Sequence, residues 1–213
     1  MIVGVRTALA VPEPPLSPEE HVDLSELGPA RRVTFVAGRA AMRAALEASG
    51  GPRASVRRDD RGAPIVPEGY VGSISHKEIV AVALAARAEG TARVGVDVEI
   101  PRASMIDVSQ RVLTAEELAF ADRLGDGRSR HVLRAFSMKE AIYKAIDPFL
   151  RRYVGFREVA IAEGPLDAPR VATFTPRPGE PALVIEVACA ELASPEGELI
   201  LSTARARPAW ATH

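Results

Sequence analysis

The chain has 213 residues, of which 47% are hydrophobic, and its 27 basic and 28 acidic residues give a formal net charge of −1. This length and apolar content suffice for one large domain or two small ones with a packed core. Because the charges balance, nothing global predicts nucleic acid or an anionic membrane as a partner, and any phosphate binding must be local.

The single cysteine and the apolar runs bear on the cellular compartment of the protein. Cys189 lies in an alternating run, residues 184–189, which predicts a buried strand residue rather than a nucleophile. Because it is the single cysteine, a disulfide within the chain is excluded. No apolar run approaches the roughly 20 residues that span a bilayer. Residues 1–10 lack the layout of a signal peptide, so we expect a cytoplasmic protein.

The first half of the chain predicts a connector, a helix and then strands. Four prolines within residues 11–18 exclude regular structure and predict an extended surface segment. Residues 29–49 show helical spacing of apolar side chains, a proline acceptable in the first turn and a Gly-Gly stop. Apolar runs predict strands from residue 70, over 79–86 and over 93–99.

The second half repeats this order. A capping box begins a helix predicted over 114–124, and a second helix is predicted over 128–146, where an Asp-Pro pair ends it. Strand-like runs separated by Pro and Gly turns follow at residues 154–162, 171–175, 182–192 and 198–206. We therefore predict an α+β protein of two similar units, residues 1–100 and 101–213, with a site in the cleft between them.

Three carboxylates are candidate metal ligands. Asp97 and Glu99 share one face of a predicted strand, about 7 Å apart, which is too close to stay unneutralised in a partly buried cleft. Glu140 lies with Lys139 and Lys144 on one helix face, opposite an apolar face. Taken alone, this face is solvated and its Glu-to-Lys pair stabilises by only about 0.2–0.5 kcal/mol. With Asp97 and Glu99, it predicts a clamp in which carboxylates hold Mg²⁺ on a pyrophosphate and the lysines neutralise charge.

Basic and hydroxyl side chains of the first half are candidate ligands for an anion. Arginines concentrate there at Arg31, Arg39, Arg57, Arg58 and Arg61. Basic helix faces are usually just solvated, and a lone histidine at a strand end, such as His76, is more often structural than catalytic. The neighbouring hydroxyls of Ser73 and Ser75 favour a functional role, since hydroxyls, imidazole and backbone can converge on an anion.

Three motifs occur in the order that characterises a known family. Residues 95–99 (GVDVE) and 136–144 (FSMKEAIYK) resemble the paired signature of the 4′-phosphopantetheinyl transferases, and residues 72–76 (GSISH) resemble their upstream motif. The helix around Arg39 and the loop at 63–69 resemble the enterobactin-synthetase component D subgroup of the larger, monomeric, surfactin-type class. The likeness covers roughly residues 30–146, and Val66 replaces the tryptophan usual in that loop.

The resemblance implies a fold of two similar α/β subdomains related by a pseudo-twofold, with coenzyme A in the cleft. It also implies transfer of the phosphopantetheine arm to a serine of an apo acyl or peptidyl carrier protein, with release of adenosine 3′,5′-bisphosphate. Asp97, Glu99 and Glu140 would hold Mg²⁺, or Mn²⁺, on the pyrophosphate. Glu140 would also be the base for the carrier serine, directly or through a metal-bound water.

The resemblance also implies roles for the basic residues. Lys144 would contact the phosphate that leaves with the adenosine portion, and Lys139 would be a second ligand-binding lysine. The groups at the 3′-phosphate and adenine end of coenzyme A would be Arg31, Arg39, Arg58 and His76, with Arg57 or Arg61 as substitutes for Arg58. Ser75 would be a further residue that binds coenzyme A. The implied catalytic residues are Glu140, Lys144 and His76.

Two other functions stay open at this point. One is a different Mg²⁺-dependent enzyme that cleaves a pyrophosphate, and the other is a non-catalytic module that binds coenzyme A or a nucleotide. The resemblance favours a monomer in secondary metabolism that acts without nucleic acid or membrane. Carriers of fatty acid, polyketide, nonribosomal peptide and siderophore systems all remain possible substrates.

Overall fold

The computed structural model describes residues 2–7, 16–78, 80–102, 106–165, 168–195 and 197–211. The helices are α1 (Pro18–Ser25), α2 (Pro29–Ala48), α3 (Ser109–Val112), α4 (Ala115–Ala121) and α5 (Arg128–Leu150). The strands are β1 (Ile2–Thr7), β2 (Arg57–Arg58), β3 (Pro64–Ile65), β4 (Tyr70–Lys77), β5 (Val80–Arg87), β6 (Arg93–Glu99), β7 (Val159–Ile161), β8 (Arg170–Phe174), β9 (Leu183–Ser194) and β10 (Gly197–Pro208). This mixture of helices and antiparallel sheets confirms the predicted α+β class.

The first sheet has the order β1-β5-β4, is antiparallel throughout, and carries α2 on one face. Met42 and Leu46 of α2 are fully buried against Ala83 and Ala85 of β5. Because β5 presents small alanines, the helix can lie close to the sheet. The helix and strands predicted for this region are confirmed, with ends shifted by one residue at most.

The second sheet has the order β6-β10-β9-β8-β7, and α5 packs against it. The contact is closest at Gly95, where an added Cβ would lie 1.9 Å from the carbonyl oxygen of Ala141. A side chain at residue 95 therefore cannot fit without moving backbone. The apolar face of α5, with Ile142 and Ala145, forms the core together with Ile185 and Ile200.

Strands β4 and β6 join the two sheets through side chains rather than a backbone ladder. Alternate residues of β4 contact three positions of β6. Ser73 Oγ accepts from the Val96 N–H (3.1 Å), Ser75 Oγ donates to Asp97 Oδ1 (2.8 Å), and Lys77 Nζ pairs with Glu99 Oε2 (2.7 Å). An apolar cluster that includes Val71, Val82 and Val96 lies beside this row. The packing of the two sheets thus brings the predicted carboxylates next to the GSISH motif.

The sheet order bears on the predicted division after residue 100. Strand β6 falls within the predicted first unit, yet its backbone pairs with β10 in the second sheet. The change of sheet occurs between β5 and β6. The division into units 1–100 and 101–213 stays a prediction, and we use "units" below for the two helix-on-sheet layers.

Two helix predictions are wrong. The predicted end of α5 at residue 146 is wrong, because the helix continues through Pro148 to Leu150. The capping residue Arg151 has a φ of 47° and donates its N–H to the Asp147 carbonyl (2.8 Å). A proline so near a C-terminus removes a single backbone donor, which the packed helix tolerates. Pro18 belongs to α1 rather than a connector, because Ser17 and Glu20 form a capping box.

The remaining predictions have mixed outcomes. Of the extended segment predicted over 11–18, residues 11–15 lie outside the described residues. The strand predicted over 154–162 forms only at Val159–Ile161, after a short turn of 3-10 helix. Cys189 is buried in β9, as predicted. In the described part of the chain, no helix combines the length and apolarity needed to cross a bilayer.

Candidate functional site

A cleft of about 740 Å³ opens between the two units. Its walls come from α2, the β2–β3 hairpin, β4 and α5. The acidic side chains on the walls are Asp59, Glu140 and Asp147, and the more numerous basic ones are Arg31, Arg39, Arg58, Arg61, Arg93, Lys144 and Arg151. A cleft with this charge attracts anions even though the whole chain is nearly neutral.

Arg39 gives the cleft a buried hydrogen-bond donor. Its Nε donates to the Val56 carbonyl (3.0 Å), and its guanidinium lies over the Phe35 ring, 3.6 Å from the ring centroid. Burial lowers the pKa of Arg39 to about 10, so the group stays charged at neutral pH. Its Nη2 is buried and has no hydrogen-bond partner among the described residues. An unpaired buried donor is costly, and an anionic oxygen in the cleft would satisfy it.

Two buried carboxylates of α1 hold the arginine-bearing strand β2 in place. Glu20 is fully buried and accepts from the Val56 N–H (2.8 Å), while Asp23 accepts from the Arg58 N–H (3.1 Å). Asp23 also pairs with the Arg57 guanidinium, whereas Arg58 itself pairs with Glu26 and lines the cleft. This support was not predicted from the sequence, although the capping box of α1 is a signal for it.

The three predicted carboxylates lie near one another where β6 faces α5. Asp97 Oδ1 accepts from Ser75 Oγ (2.8 Å) and Lys144 Nζ (2.9 Å), while the buried Asp97 Oδ2 has no partner among the described residues. The pKa of Glu140 is raised mainly by burial, and the charges of Asp97 and Glu99 raise it further. Burial likewise raises the pKa of Glu99, against the opposing effect of Lys77. Like charges close together in a partly buried site favour either a counter-cation or protonation of one carboxylate.

The chemistry of this donor set fits a hard divalent cation. Carboxylate oxygens are the ligands that Mg²⁺ prefers, and the unpartnered Asp97 Oδ2 is a free ligand atom. Across the described ranges, however, no three His, Cys, Asp or Glu side chains already stand at ligating positions. Instead, the ammonium groups of Lys144 and Lys77 form ion pairs with Asp97 and Glu99, respectively. The carboxylates therefore suit a divalent ion, but the lysine ammonium groups would have to move away from them before the ion could bind.

His76 and Ser75 are neighbours in sequence, but their side chains contact different parts of the site. His76 lines the cleft, and its pKa is lowered first by burial and then by the charges of Lys144 and Arg31, so the imidazole is neutral at pH 7. Ser75 is buried, and its hydroxyl is bonded to Asp97. The hydroxyl of Ser75 therefore orients a carboxylate in this structure.

The ammonium of Lys139 does not lie in the cleft, where its position on the helix predicts it. Its ammonium is buried and donates to the Val112 carbonyl (2.8 Å), to Glu117 Oε2 (2.6 Å) and to the Phe156 carbonyl (3.1 Å). An ammonium has three N–H donors, and all of them are used within the protein. The structure thus brings Lys144, but not the Lys139 ammonium, to the carboxylates.

A smaller pocket of about 180 Å³ adjoins the cleft at α5. Glu140 and Tyr143 line both cavities. Tyr153, Val154 and Phe156 give the small pocket apolar walls, and Lys139 also lines it, although its ammonium is bonded within the protein. Glu140 consequently stands between a basic cavity and an apolar one. The composition of the α5 motif did not predict this second pocket, because most of its walls come from the turn after the helix.

The fold and the site define a class of α+β protein in which a basic cleft between two units ends at a carboxylate cluster. Residues 19–86 match the 4′-phosphopantetheinyl transferase N-terminal domain, and residues 93–193 match the 4′-phosphopantetheinyl transferase superfamily. The 4′-phosphopantetheinyl transferase Svp of Streptomyces mobaraensis is 34% identical over 173 residues, which cover 78% of this chain and 68% of that protein. The chain therefore belongs to the 4′-phosphopantetheinyl transferase superfamily.

Two further relatives agree with this membership. The 4′-phosphopantetheinyl transferase Npt of Nocardia iowensis is 32% identical over 152 residues, 67% of this chain and 64% of that protein. Enterobactin synthase component D of Salmonella typhi is 36% identical over 135 residues, 59% of this chain and 52% of that protein. The chain thus spans less than two thirds of the length of these two relatives.

Proposed function

We propose that this protein transfers the 4′-phosphopantetheine arm of coenzyme A to a serine of an apo carrier protein, in a Mg²⁺-dependent reaction. The observation that carries the proposal is the position of Glu140, which lines both a basic cavity and an apolar pocket. Coenzyme A has a matching division, with a phosphorylated nucleotide at one end and a neutral arm at the other.

The cleft offers a separate group for each part of this ligand. We assign Arg31, Arg39 and Arg58 to the 3′-phosphate and adenine end, with His76 beside them as a neutral hydrogen-bonding group. Lys144 supports this orientation because it both pairs with Asp97 and lines the cleft, beside the position that we propose for the pyrophosphate.

Glu140 is the proposed base. The serine oxygen would form a bond to the phosphorus that carries the pantetheine arm, and the bond from that phosphorus to the bridging oxygen would break. The serine proton would pass to Glu140, whose raised pKa suits it for accepting a proton. The electron pair would leave with adenosine 3′,5′-bisphosphate, beside Lys144. Bound Mg²⁺, held by Asp97, Glu99 and Glu140, would neutralise charge on the pyrophosphate.

Mass spectrometry of an apo carrier incubated with the protein, coenzyme A and Mg²⁺ tests the proposal. The expected result is a carrier heavier by about 340 Da, the mass of the arm. A panel of fatty acid, polyketide, nonribosomal peptide and siderophore carriers would identify the substrate class. If every carrier stays unmodified while coenzyme A binds, a non-catalytic binding module is the better description, and hydrolysis of coenzyme A alone would indicate another pyrophosphate-cleaving enzyme.

Glu140→Gln is the sharpest variant for this assay. We expect the transfer rate to fall by about 10²-fold or more, since the change removes a metal ligand and the base together. Glu116→Gln, an exposed carboxylate on α4 outside the cleft, is the matched control and should keep the rate of the unaltered protein. Near-normal turnover by Glu140→Gln would exclude both proposed roles.

A further inference from the structure

The chain uses lysine sparingly, and its use is informative. Only three of its 27 basic residues are lysines: Lys77, Lys139 and Lys144. Each pairs with a carboxylate that is at least nine-tenths buried, namely Glu99, Glu117 and Asp97 respectively. Arginine presents a planar fork of donors, whereas lysine is a compact point charge on a flexible stem. Lys77 has no role in the function proposed above, although it pairs with a proposed metal ligand.

Lys77 is held toward Glu99 by the end of β4. It is the last residue of that strand, and Ser73 and Ser75 on the same strand face fix β4 against β6. The next residue, Glu78, turns the chain with a φ of 52°. The stem of Lys77 therefore starts from a fixed point, and its ammonium lies 2.7 Å from Glu99 Oε2.

Two features distinguish Lys77 from Lys144. Lys144 donates to the Val96 carbonyl (2.9 Å) as well as to Asp97, so the backbone holds it independently of the carboxylate. Among the described residues, the Lys77 ammonium has Glu99 as its single carboxylate or hydrogen-bonding partner. Its side chain is 39% exposed, whereas that of Glu99 is 9% exposed. The ammonium of Lys77 can thus move into water, while the carboxylate of Glu99 cannot.

We propose that Lys77 is an exchangeable counter-cation that occupies Glu99 in the metal-free protein and must leave before Glu99 can bind a divalent ion. A Mg²⁺ ion would sit about 2.0–2.1 Å from an oxygen of Glu99. It would then share this carboxylate with the Lys77 ammonium, which lies 2.7 Å from Oε2, and the two cations would repel each other. Metal binding is then a displacement, and Lys77 sets its affinity. The inference rests on the proposed metal site but not on transfer to a carrier.

Binding of Mn²⁺, followed through the electron paramagnetic resonance signal of the free ion, tests this inference without a reaction. Lys77→Met keeps the apolar stem and removes the charge, and we expect it to bind Mn²⁺ at least about tenfold more tightly than the unaltered protein, since one repelling charge is gone. Lys77→Arg keeps the charge and should bind no more tightly. In a Glu99→Gln background the effect of Lys77→Met should disappear. Circular dichroism melts would check that each variant folds.

The outcomes separate this inference from the proposed function. Unchanged or weaker Mn²⁺ binding by Lys77→Met would overturn the role of Lys77. Lys77→Arg would also overturn it by binding Mn²⁺ as tightly as Lys77→Met does. Asp97→Asn tests the site itself and should lose most of its Mn²⁺ affinity. If Asp97→Asn binds Mn²⁺ like the unaltered protein, the metal site of the proposed function is wrong, whereas failure of Lys77→Met alone leaves that site standing.

Discussion

His76 shows how neighbouring charges set the properties of one side chain in the cleft. Its pKa lies below the ordinary 6.5 because burial and the charges of Lys144 and Arg31 disfavour the imidazolium. We predict that Arg31→Ala raises the pKa of His76, measured by NMR titration of the ring protons. The half-buried His131, whose pKa is lowered by burial and not by Arg31, is an internal control.

The same shift has a consequence for stability. Because the folded protein binds a proton at His76 less readily than the unfolded chain, the contribution of His76 to stability is present above pH 6.5 and is lost as the pH falls toward the lower folded pKa. Arg31→Ala should reduce that loss. An unchanged His76 titration in Arg31→Ala, or an equal shift at His131, would contradict this account of the cleft.

The positions of Asp97 and Glu99 could be predicted from the sequence, whereas the position of the Lys139 ammonium could not. Alternation along a strand determines which side chains share a face, so Asp97 and Glu99 were predictable before their surroundings were known. Lys139 was not, because helical spacing gives its direction but not the partner it meets there. That partner is Glu117, whose second oxygen accepts from the Ile161 N–H (2.9 Å), and this contact depends on how α4 and β7 pack.

The buried pair of Lys139 and Glu117 ties α4 to α5, and we predict a structural rather than a ligand-binding role for it. Lys139→Met leaves the Glu117 carboxylate buried without its counter-charge, which should lower the free energy of unfolding by about 3–5 kcal/mol. Urea denaturation measures this loss. Calorimetric affinity for coenzyme A, measured where the variant is folded, should stay within about twofold. A tenfold loss of affinity without loss of stability would restore Lys139 as a ligand-binding residue.

The contact between β6 and α5 positions the three proposed metal ligands, two on the strand and one on the helix, and Gly95 makes it possible. Gly95→Ala would place a Cβ 1.9 Å from the Ala141 carbonyl oxygen, so strand and helix must separate. We predict a loss of roughly 3 kcal/mol or more in the free energy of unfolding, since neither backbone can rotate away. Gly127→Ala is the control, because its Cβ would meet only Leu124 at 3.8 Å and its φ of −74° suits any residue. Comparable losses in the two variants would contradict the close-approach argument.

The limits of sequence prediction are clearest at the ends of helices. Most strands and both long helices can be predicted from the periodicity of apolar residues. Prolines, however, gave two wrong predictions of where helical structure is absent. Pro148 suggested a stop, although packing carries α5 to Leu150. Proline-rich surroundings concealed α1, whose Glu20 and Asp23 then bind backbone of the arginine strand more than 30 residues away in sequence. A composition rule describes a short window, whereas these helices are stabilised by contacts outside it.

The two units also meet at an ion pair across the cleft, which no local pattern could predict. Arg61, from the β2–β3 hairpin, contacts Asp147 near the end of α5 through Nε (2.7 Å) and Nη2 (2.5 Å), although the residues are 86 positions apart. Both residues line the cleft. Asp147 thus holds an arginine that could otherwise face an anionic ligand, and it adds negative charge to the same wall.

This arrangement predicts that Asp147 weakens ligand binding. Asp147→Asn should release the Arg61 guanidinium and tighten coenzyme A binding by roughly three- to tenfold at low ionic strength, since a charged pair in partial solvent contact is worth about 1 kcal/mol or somewhat more. Isothermal calorimetry gives the affinity, and the gain should shrink in 0.5 M salt, estimated from a Debye length of about 4 Å there. Asp122→Asn makes the same charge change beside Arg128, away from the cleft, and should leave the affinity unchanged. If both variants tighten binding equally, net charge alone explains the effect. A weaker complex in Asp147→Asn would mean that the ion pair holds the cleft walls in the binding geometry.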